Sequence, residues 1–297
     1  MEKLNNQKGK MKKHILLIAF LVVATNTIQA QWSKGKGNGY YKLSTWYLKS
    51  DQHYTDTGVI DPNATRTQFN TNIYAEYGIS NKFDVIAYVP FFSRTAQNNQ
   101  VSGTNNNTIQ KGEGFNSFGD IDLGARYAFY KKGKWAADVK LLLGIPTGDN
   151  NGGSDGSFQT SDGEFNQYVS TSLGYSTAIN NLPVYAKSYI GVNNRSKGFS
   201  DEFRFGLEAG INLLNNKLWI ISRLNLLKSF KNGSLNAQSN TQGSIFANNI
   251  EYNSYGFEAA YYLTKKIGVS ASFDSAFSGR IIAANPSISG GIFLDIK

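Results

Sequence analysis

The chain has 297 residues, 40% of them hydrophobic and 13% aromatic, with 30 glycines, 5 prolines, no cysteine and a formal charge of +9. The lack of cysteine excludes a disulfide framework and a thiolate metal site. A mean hydropathy of −0.35 excludes a helical membrane protein but not a β-barrel, half of whose strand positions are polar.

The first thirty residues read as a secretory signal peptide, which implies Sec export. Lys12 and Lys13 form a basic region, Ile15–Ala24 an apolar one, and Ile28-Gln29-Ala30 a cleavage site before Gln31. The ten residues before Met11 are unusual for such a signal, and Met11 is an alternative start. The apolar run is about half of the roughly 20 residues that span a bilayer, which argues against an anchor. Cleavage removes five lysines and Glu2, so the formal charge falls from +9 to +5. The remaining basic residues are scattered rather than clustered with aromatics, which excludes a nucleic-acid partner.

Gln31–Asn38 is a short Gly/Lys-rich segment, too small for a plug domain. The first strand is expected over Gly39–Lys49, followed by a polar loop, Ser50–Thr65. Arg66–Ile79 places Phe69, Thr71, Ile73, Ala75 and Tyr77 opposite Gln68, Asn70, Asn72 and Glu76. After the turn Ser80–Lys82, Phe83–Arg94 gathers Phe83, Val85, Ala87, Val89 and Phe91 on one face. Pro90 removes a ladder hydrogen bond there, which predicts a rim position or a bulge. A long Asn/Gly/Thr loop, Thr95–Ser117, leads to Gly119–Tyr130, a turn at 131–134, and Trp135–Ile145. The polar run Thr147–Asp162 precedes Phe165–Ile179. Further strands are expected at Pro183–Asn193, Asp201–Leu214, Leu218–Phe230, Ile250–Leu263, Ile267–Phe277 and Pro286–Lys297. Leu218–Phe230 is the least regular, because Ile221 and Leu227 share a face with Arg223.

Strict alternation gives each strand one apolar and one polar face. At 11 to 15 residues, these strands far exceed the usual length of about 5–6. Turns of three or four residues near 80–82, 131–134, 180–182, 215–217 and 264–266 alternate with much longer loops. The pattern predicts an all-β fold: one antiparallel transmembrane β-barrel of about 12 strands over residues 39–297, with lipid as its surroundings. Tyr77, Phe83, Tyr127, Phe129, Trp135, Tyr175, Trp219 and Tyr261 near the turns resemble an interfacial aromatic girdle. A soluble sandwich or lipocalin-like barrel would have shorter strands and loops of similar length at both ends.

The segments FGDIDLGARYAFY, LLLGIPTGD, SDGEFNQYVSTSLGYS and GISNKFDVIAYVPF also resemble the outer-membrane family named for the meta-pathway of phenol degradation. The resemblance covers most of residues 39–297 and rests on strand and turn patterns. It implies a transporter-like outer-membrane barrel in a Gram-negative bacterium and, through certain members, a link to aromatic hydrocarbons.

The polar face carries Glu76, Asp84, Asp120, Asp122, Arg126, Asp138, Lys140, Lys187, Arg204, Glu208, Arg223, Glu258 and Asp274. Both signs occur on one strand, as in Asp122/Arg126 and Arg204/Glu208. These charges predict either a conduit that selects its solute or a salt-bridged filling of a narrow lumen. No cofactor motif accompanies them. In the loop 147–164, Asp149, Asn151 and Gly153 loosely echo a calcium loop, but Thr160 stands where the final acid belongs, so a solvated surface loop is expected. His53, beside Asp51, is the single histidine after the signal, and no G-x-S-x-G element accompanies it, so no enzyme is expected. The sequence therefore predicts a passive channel or uptake protein for small solutes, aromatic or hydrophobic ones if the resemblance extends to substrate. The alternative is a closed barrel serving adhesion or as a scaffold.

Overall fold

In a bilayer every backbone N–H and C=O must find its partner within the protein, and a sheet achieves this only by closing on itself. The computed structural model of the protein describes residues 33–235 and 244–297. The signal-peptide reading, on residues 1–30, lies outside them.

The barrel strands are β1 (Gly39–Tyr54), β2 (Ile60–Gly78), β3 (Phe83–Gln97), β4 (Ile121–Lys132), β5 (Trp135–Ile145) and β6 (Asn166–Ile179). They continue as β7 (Leu182–Arg195), β8 (Glu202–Leu213), β9 (Leu218–Ser229), β10 (Glu251–Tyr262), β11 (Ile267–Arg280) and β12 (Ser287–Ile296). Each pairs antiparallel with the next, and β12 closes on β1 from Gly39↔Ile296 to Leu48↔Ser287. The result is a closed twelve-stranded barrel. Both ends of the ladder, Gly39 and Ile296, lie at the same end as the short turns, hereafter the turn end. At the β6–β7 turn, Asn180 and Asn181 both take positive φ (49° and 65°). That is the two-residue geometry that matches strand twist, and asparagine tolerates it.

Leu43, Ile73, Leu141, Leu173, Ile190, Leu207, Leu224 and Ile292 project outward and are exposed, forming the apolar belt. Of the predicted girdle aromatics only Trp219 departs. It lies on the inward face of β9, edge-on to Tyr185 at 5.4 Å between centroids.

Two expectations change where side-chain alternation stops being enforced. β1 and β2 run on to Tyr54 and Ile60, so the predicted loop 50–65 shrinks to the turn at 55–59. Above the bilayer the ladder continues without an apolar face. In β3 the pairing passes from Ile73↔Val89 to Thr71↔Phe92, so β3 carries one extra residue at Pro90–Phe91. The bulge accommodates the missing N–H of Pro90 and reverses the parity of the strand. Beyond it Ser93, Thr95 and Gln97 are buried, and the strand runs three residues past Arg94 into the expected loop 95–117. The loop after β3 is also partly ordered, with Glu113–Ser117 pairing onto the end of β3.

Leu207 stands midway along β8 on the lipid face. Leu207→Arg should lower stability by about 2–4 kcal/mol, and the same change at Leu214, in the turn, by about 0–1 kcal/mol. Urea titration of the protein folded into vesicles measures both.

Candidate functional site: the lumen and its cap

Among the described residues, the inward faces of the strands line two large cavities stacked along the barrel. The lower, at the turn end, is about 540 Å³ and is lined by Tyr40, Tyr74, Glu76, Arg126, Tyr185, Lys187, Glu208, Trp219, Arg223, Glu258, Tyr262 and Phe293, among others. The upper is about 300 Å³ and is lined by residues that include Tyr88, Asp120, Asp122, Asp162, Asn193, Glu202 and Arg204.

Ion pairs between strands hold the lower wall. Lys42 Nζ meets Glu258 Oε1 at 2.9 Å, and Glu258 Oε2 meets Arg223 Nη2 at 2.7 Å. Arg223 Nε in turn meets Glu208 Oε2 at 2.7 Å, and the Tyr185 hydroxyl donates to Glu208 Oε1 at 2.8 Å. This chain of contacts links β1, β10, β9, β8 and β7. Opposite it, Arg126 pairs with Glu76 at 2.5 Å and with Asp84 at 3.6 Å. The Tyr74 hydroxyl donates to Glu76 as well.

Asp84 anchors the floor. Its side chain is fully buried and accepts from Ser33 Oγ at 3.0 Å and from the Lys34 N–H at 3.1 Å. Residues 33–38 thus fold back across the turn end. Gly37 N–H donates to Gly78 O, and Gly78 N–H to Asn38 O, both at 2.9 Å. A Cβ on Gly78 would stand 2.0 Å from Gly35 O, so only glycine admits this segment. Too small for a plug domain, the segment still narrows the floor.

The charges taken singly from the sequence are placed as follows. Glu76, Arg126, Lys187, Glu208, Arg223 and Glu258 line the lower cavity, and Asp120, Asp122 and Arg204 the upper. Asp138 is buried on β5, and Lys140 Nζ lies 5.5 Å from the Tyr168 ring centroid. Asp274 accepts from Ser272 Oγ at 3.3 Å. The same-strand pairs Asp122/Arg126 and Arg204/Glu208 do not form. Arg126 and Glu208 bond to other strands, and Arg204 bonds to Glu202 at 2.6 Å. Along one strand, positions two apart come within reach, as in Arg204 and Glu202, whereas positions four apart stand about 13 Å from each other by strand rise.

Sequence reasoning missed the aromatic lining. Tyr185 and Tyr189 lie over glycines of β8: a Cβ on Gly210 would be 2.3 Å from the Tyr185 ring, and on Gly206 2.2 Å from Tyr189. The glycines let the rings lie flat against the wall, which leaves the lumen less obstructed. Inward glycines beside inward tyrosines in adjacent strands carry that signal.

The loop between β5 and β6 is a cap, not a solvated surface loop. Ser157, Phe158, Gln159, Thr160, Ser161 and Glu164 are all buried. Arg195 on β7 holds it, meeting Asp162 at 3.1 Å, Glu202 at 2.9 Å and the fully buried Glu164. On the other side Arg66 Nη2 donates to Ser157 Oγ at 2.9 Å, and Thr95 Oγ1 to Gln159 O at 2.6 Å. Tyr54, Leu227, Ala247, Ile250, Ile281 and Ile282 form an apolar cluster at the same end. The calcium-like spacing serves the loop itself: Asp149 accepts from the Asn151 N–H, and Thr160 Oγ1 from the Asp149 N–H. Asp51 Oδ1 accepts the Asn285 amide at 3.1 Å.

Carboxylates outnumber guanidiniums under the cap. Burial pushes the Glu164 carboxyl up to about 8, with the Asp162 charge adding to it and Arg195 opposing. Burial likewise pushes Asp120 up to about 7, the Gly148 N–H opposing and Asp162 adding. Asp155 moves the other way, held below its ordinary value by hydrogen bonds from Ser157.

No family model matches the chain, and no curated protein is significantly similar to it. Among solved structures, an outer membrane channel from Pseudomonas putida F1 is 12% identical with a TM-score of 0.60, covering 92% of this chain and 100% of that one. The KdgM porin aligns at 7% identity and a TM-score of 0.47, over 86% of this chain and 99% of that one. The β domain of the Bordetella autotransporter Brka gives 16% and 0.47, over 87% and 99%. The first similarity is one of fold, and with the apolar belt it defines the class: an outer-membrane-type transmembrane β-barrel.

A carboxyl held protonated by the fold contributes its full stability below the ordinary carboxyl pKa of about 4, and that contribution is lost as pH rises through the folded value. The cap should therefore loosen as pH rises through about 7 to 8. A spin label at Asn151 should become more mobile over that range. Arg195→Met removes the partner of the fully buried Glu164 and of Asp162, while Glu202 keeps Arg204, a loss of about 3–5 kcal/mol. It should speed proteolysis within the loop at every pH.

Proposed function

We propose that the protein is a passive outer-membrane channel through which small solutes diffuse without an energy source or cofactor. The observation that carries this reading is the pair of charge-lined cavities, one above the other within a closed barrel, about 540 and 300 Å³. The short turns would face the periplasm and the long loops and cap the exterior, as outer-membrane barrels are oriented. Sec export and maturation at Gln31 belong to the same reading. Membership of the phenol-degradation outer-membrane family is supported by the motifs quoted above and by the fold shared with the Pseudomonas putida channel. An aromatic solute would meet Tyr40, Trp219, Tyr262 and Phe293 in the lower cavity.

The cap favours a second reading. Arg195 bonded to three carboxylates and Phe158 buried beneath the loop end suit a permanently closed barrel whose exterior loops serve adhesion or as a scaffold.

Single-channel recording of the mature protein in a planar bilayer separates the two. Discrete steps are expected, and silence from protein confirmed as folded favours the closed barrel. Arg126→Ala and Lys140→Ala each remove a positive charge from the lumen and should shift the reversal potential toward cation selectivity. Unchanged selectivity in both would count against a conducting lumen.

A further inference from the structure

We propose that the upper cavity is a binding site for small organic ammonium ions. The channel reading supplies only the further step that bound amines pass on through the lumen.

The first support is a local excess of carboxyl groups over guanidiniums. Asp120, Asp122, Asp162 and Glu202 line the cavity beside two cations, Arg195 and Arg204. Both guanidiniums are committed: Arg195 to Asp162, Glu164 and Glu202, and Arg204 to Glu202. Among the described residues Asp122 has no ion pair within 4.0 Å and no side-chain hydrogen bond, although its carboxylate borders the cavity. An unpaired charge in a narrow, partly desolvated space is costly, and a mobile cation is the available remedy.

The second support is independent of charge. Asn193 is 1% exposed and lines the same cavity. Its amide nitrogen donates to Asn166 Oδ1 at 2.7 Å and to Glu202 at 3.3 Å. Its Oδ1 is left buried without a partner. Buried polar atoms are nearly always satisfied, so an orphan acceptor on a residue that lines a cavity points to a donor that arrives with a ligand.

The unfilled capacity is therefore of one kind. Asp122 and Asn193 offer acceptors only, and an ammonium group brings three donors and a positive charge. An anion would be repelled, and a neutral alcohol would leave the charge uncompensated. Tyr88 and Leu142 supply apolar wall for a carbon stem. About 300 Å³ is at the lower end of ligand-pocket volumes, which suits a short amine.

Isothermal titration of the folded, detergent-solubilised mature protein at neutral pH and low salt tests the site with three probes of matched length: putrescine, butanediol and succinate. Putrescine should bind once per chain, while the diol and the dicarboxylate should give no saturable heat. Asp122→Asn, which keeps shape and removes charge, should weaken putrescine binding by about ten-fold or more, the loss of one charged hydrogen bond. The wild-type comparison stands even if that variant fails to fold. No putrescine binding to folded protein, succinate binding as tightly, or an unchanged affinity in Asp122→Asn would each overturn the site. Current recordings on the same samples keep the two readings apart: putrescine binding without conductance contradicts the channel and supports the site, and conductance without binding overturns the site alone.

Discussion

The structure depends on one constraint: no backbone hydrogen bond can be left open inside a bilayer. Closure of β12 onto β1 satisfies the edge strands, and everything else follows from the cylinder it makes. Once the sheet is closed, side chains have only two destinations. Alternate residues meet lipid and must be apolar, while their neighbours meet a confined aqueous space and are free to be charged. Leu207 and Glu208, adjacent on β8, show the rule in two residues.

Confinement then sets the chemistry of the lumen. Charges crowded into a narrow tube are tolerable when matched, and three guanidiniums serve more than one carboxylate: Arg126 two, Arg223 two, Arg195 three. The matching is good in the lower cavity and poor in the upper, where carboxylates are in excess. That imbalance explains three features together. It adds, through the Asp162 charge, to the burial that raises the proton affinity of Glu164 and Asp120, it makes the cap sensitive to pH, and it leaves Asp122 and Asn193 able to accept from a visiting cation.

The fold was legible in the sequence because the bilayer writes a strict period of two. Trp135–Ile145 matches its strand end to end, and the Asn-rich turn before Leu182 falls where the ladder turns. Legibility failed where that period lapses. Pro90, expected at the rim or at a bulge, sits at a bulge, but the reversal of parity beyond it escapes alternation, since an inserted residue shifts every later position. Trp219 looked like a girdle residue because nearness to a turn says nothing about face. β9 was ambiguous because Ile221 and Leu227 do face inward, Leu227 packing against Ile250 of the loop end. The thirteen charges could be placed on a face but not paired, because partners such as Lys42 and Glu258 are 216 residues apart. Arg195, Glu164 and Glu202 escaped notice for the same reason: their meeting depends on how a polar loop folds back, and no periodicity encodes that.

The central claim is that alternation divides each strand between lipid and a water-filled lumen. A chain without cysteine allows that to be tested one residue at a time. Single cysteines placed successively along Glu202–Leu213, in protein folded into liposomes, would be exposed to a membrane-impermeant thiol reagent and, separately, to a lipid-soluble one. The account predicts labelling that switches reagent at every step, with Glu208→Cys taking the water-soluble reagent and Leu207→Cys the lipid-soluble one. Inward positions that stay unlabelled by the aqueous reagent, while outward positions label with the lipid-soluble one, would contradict a solvated lumen.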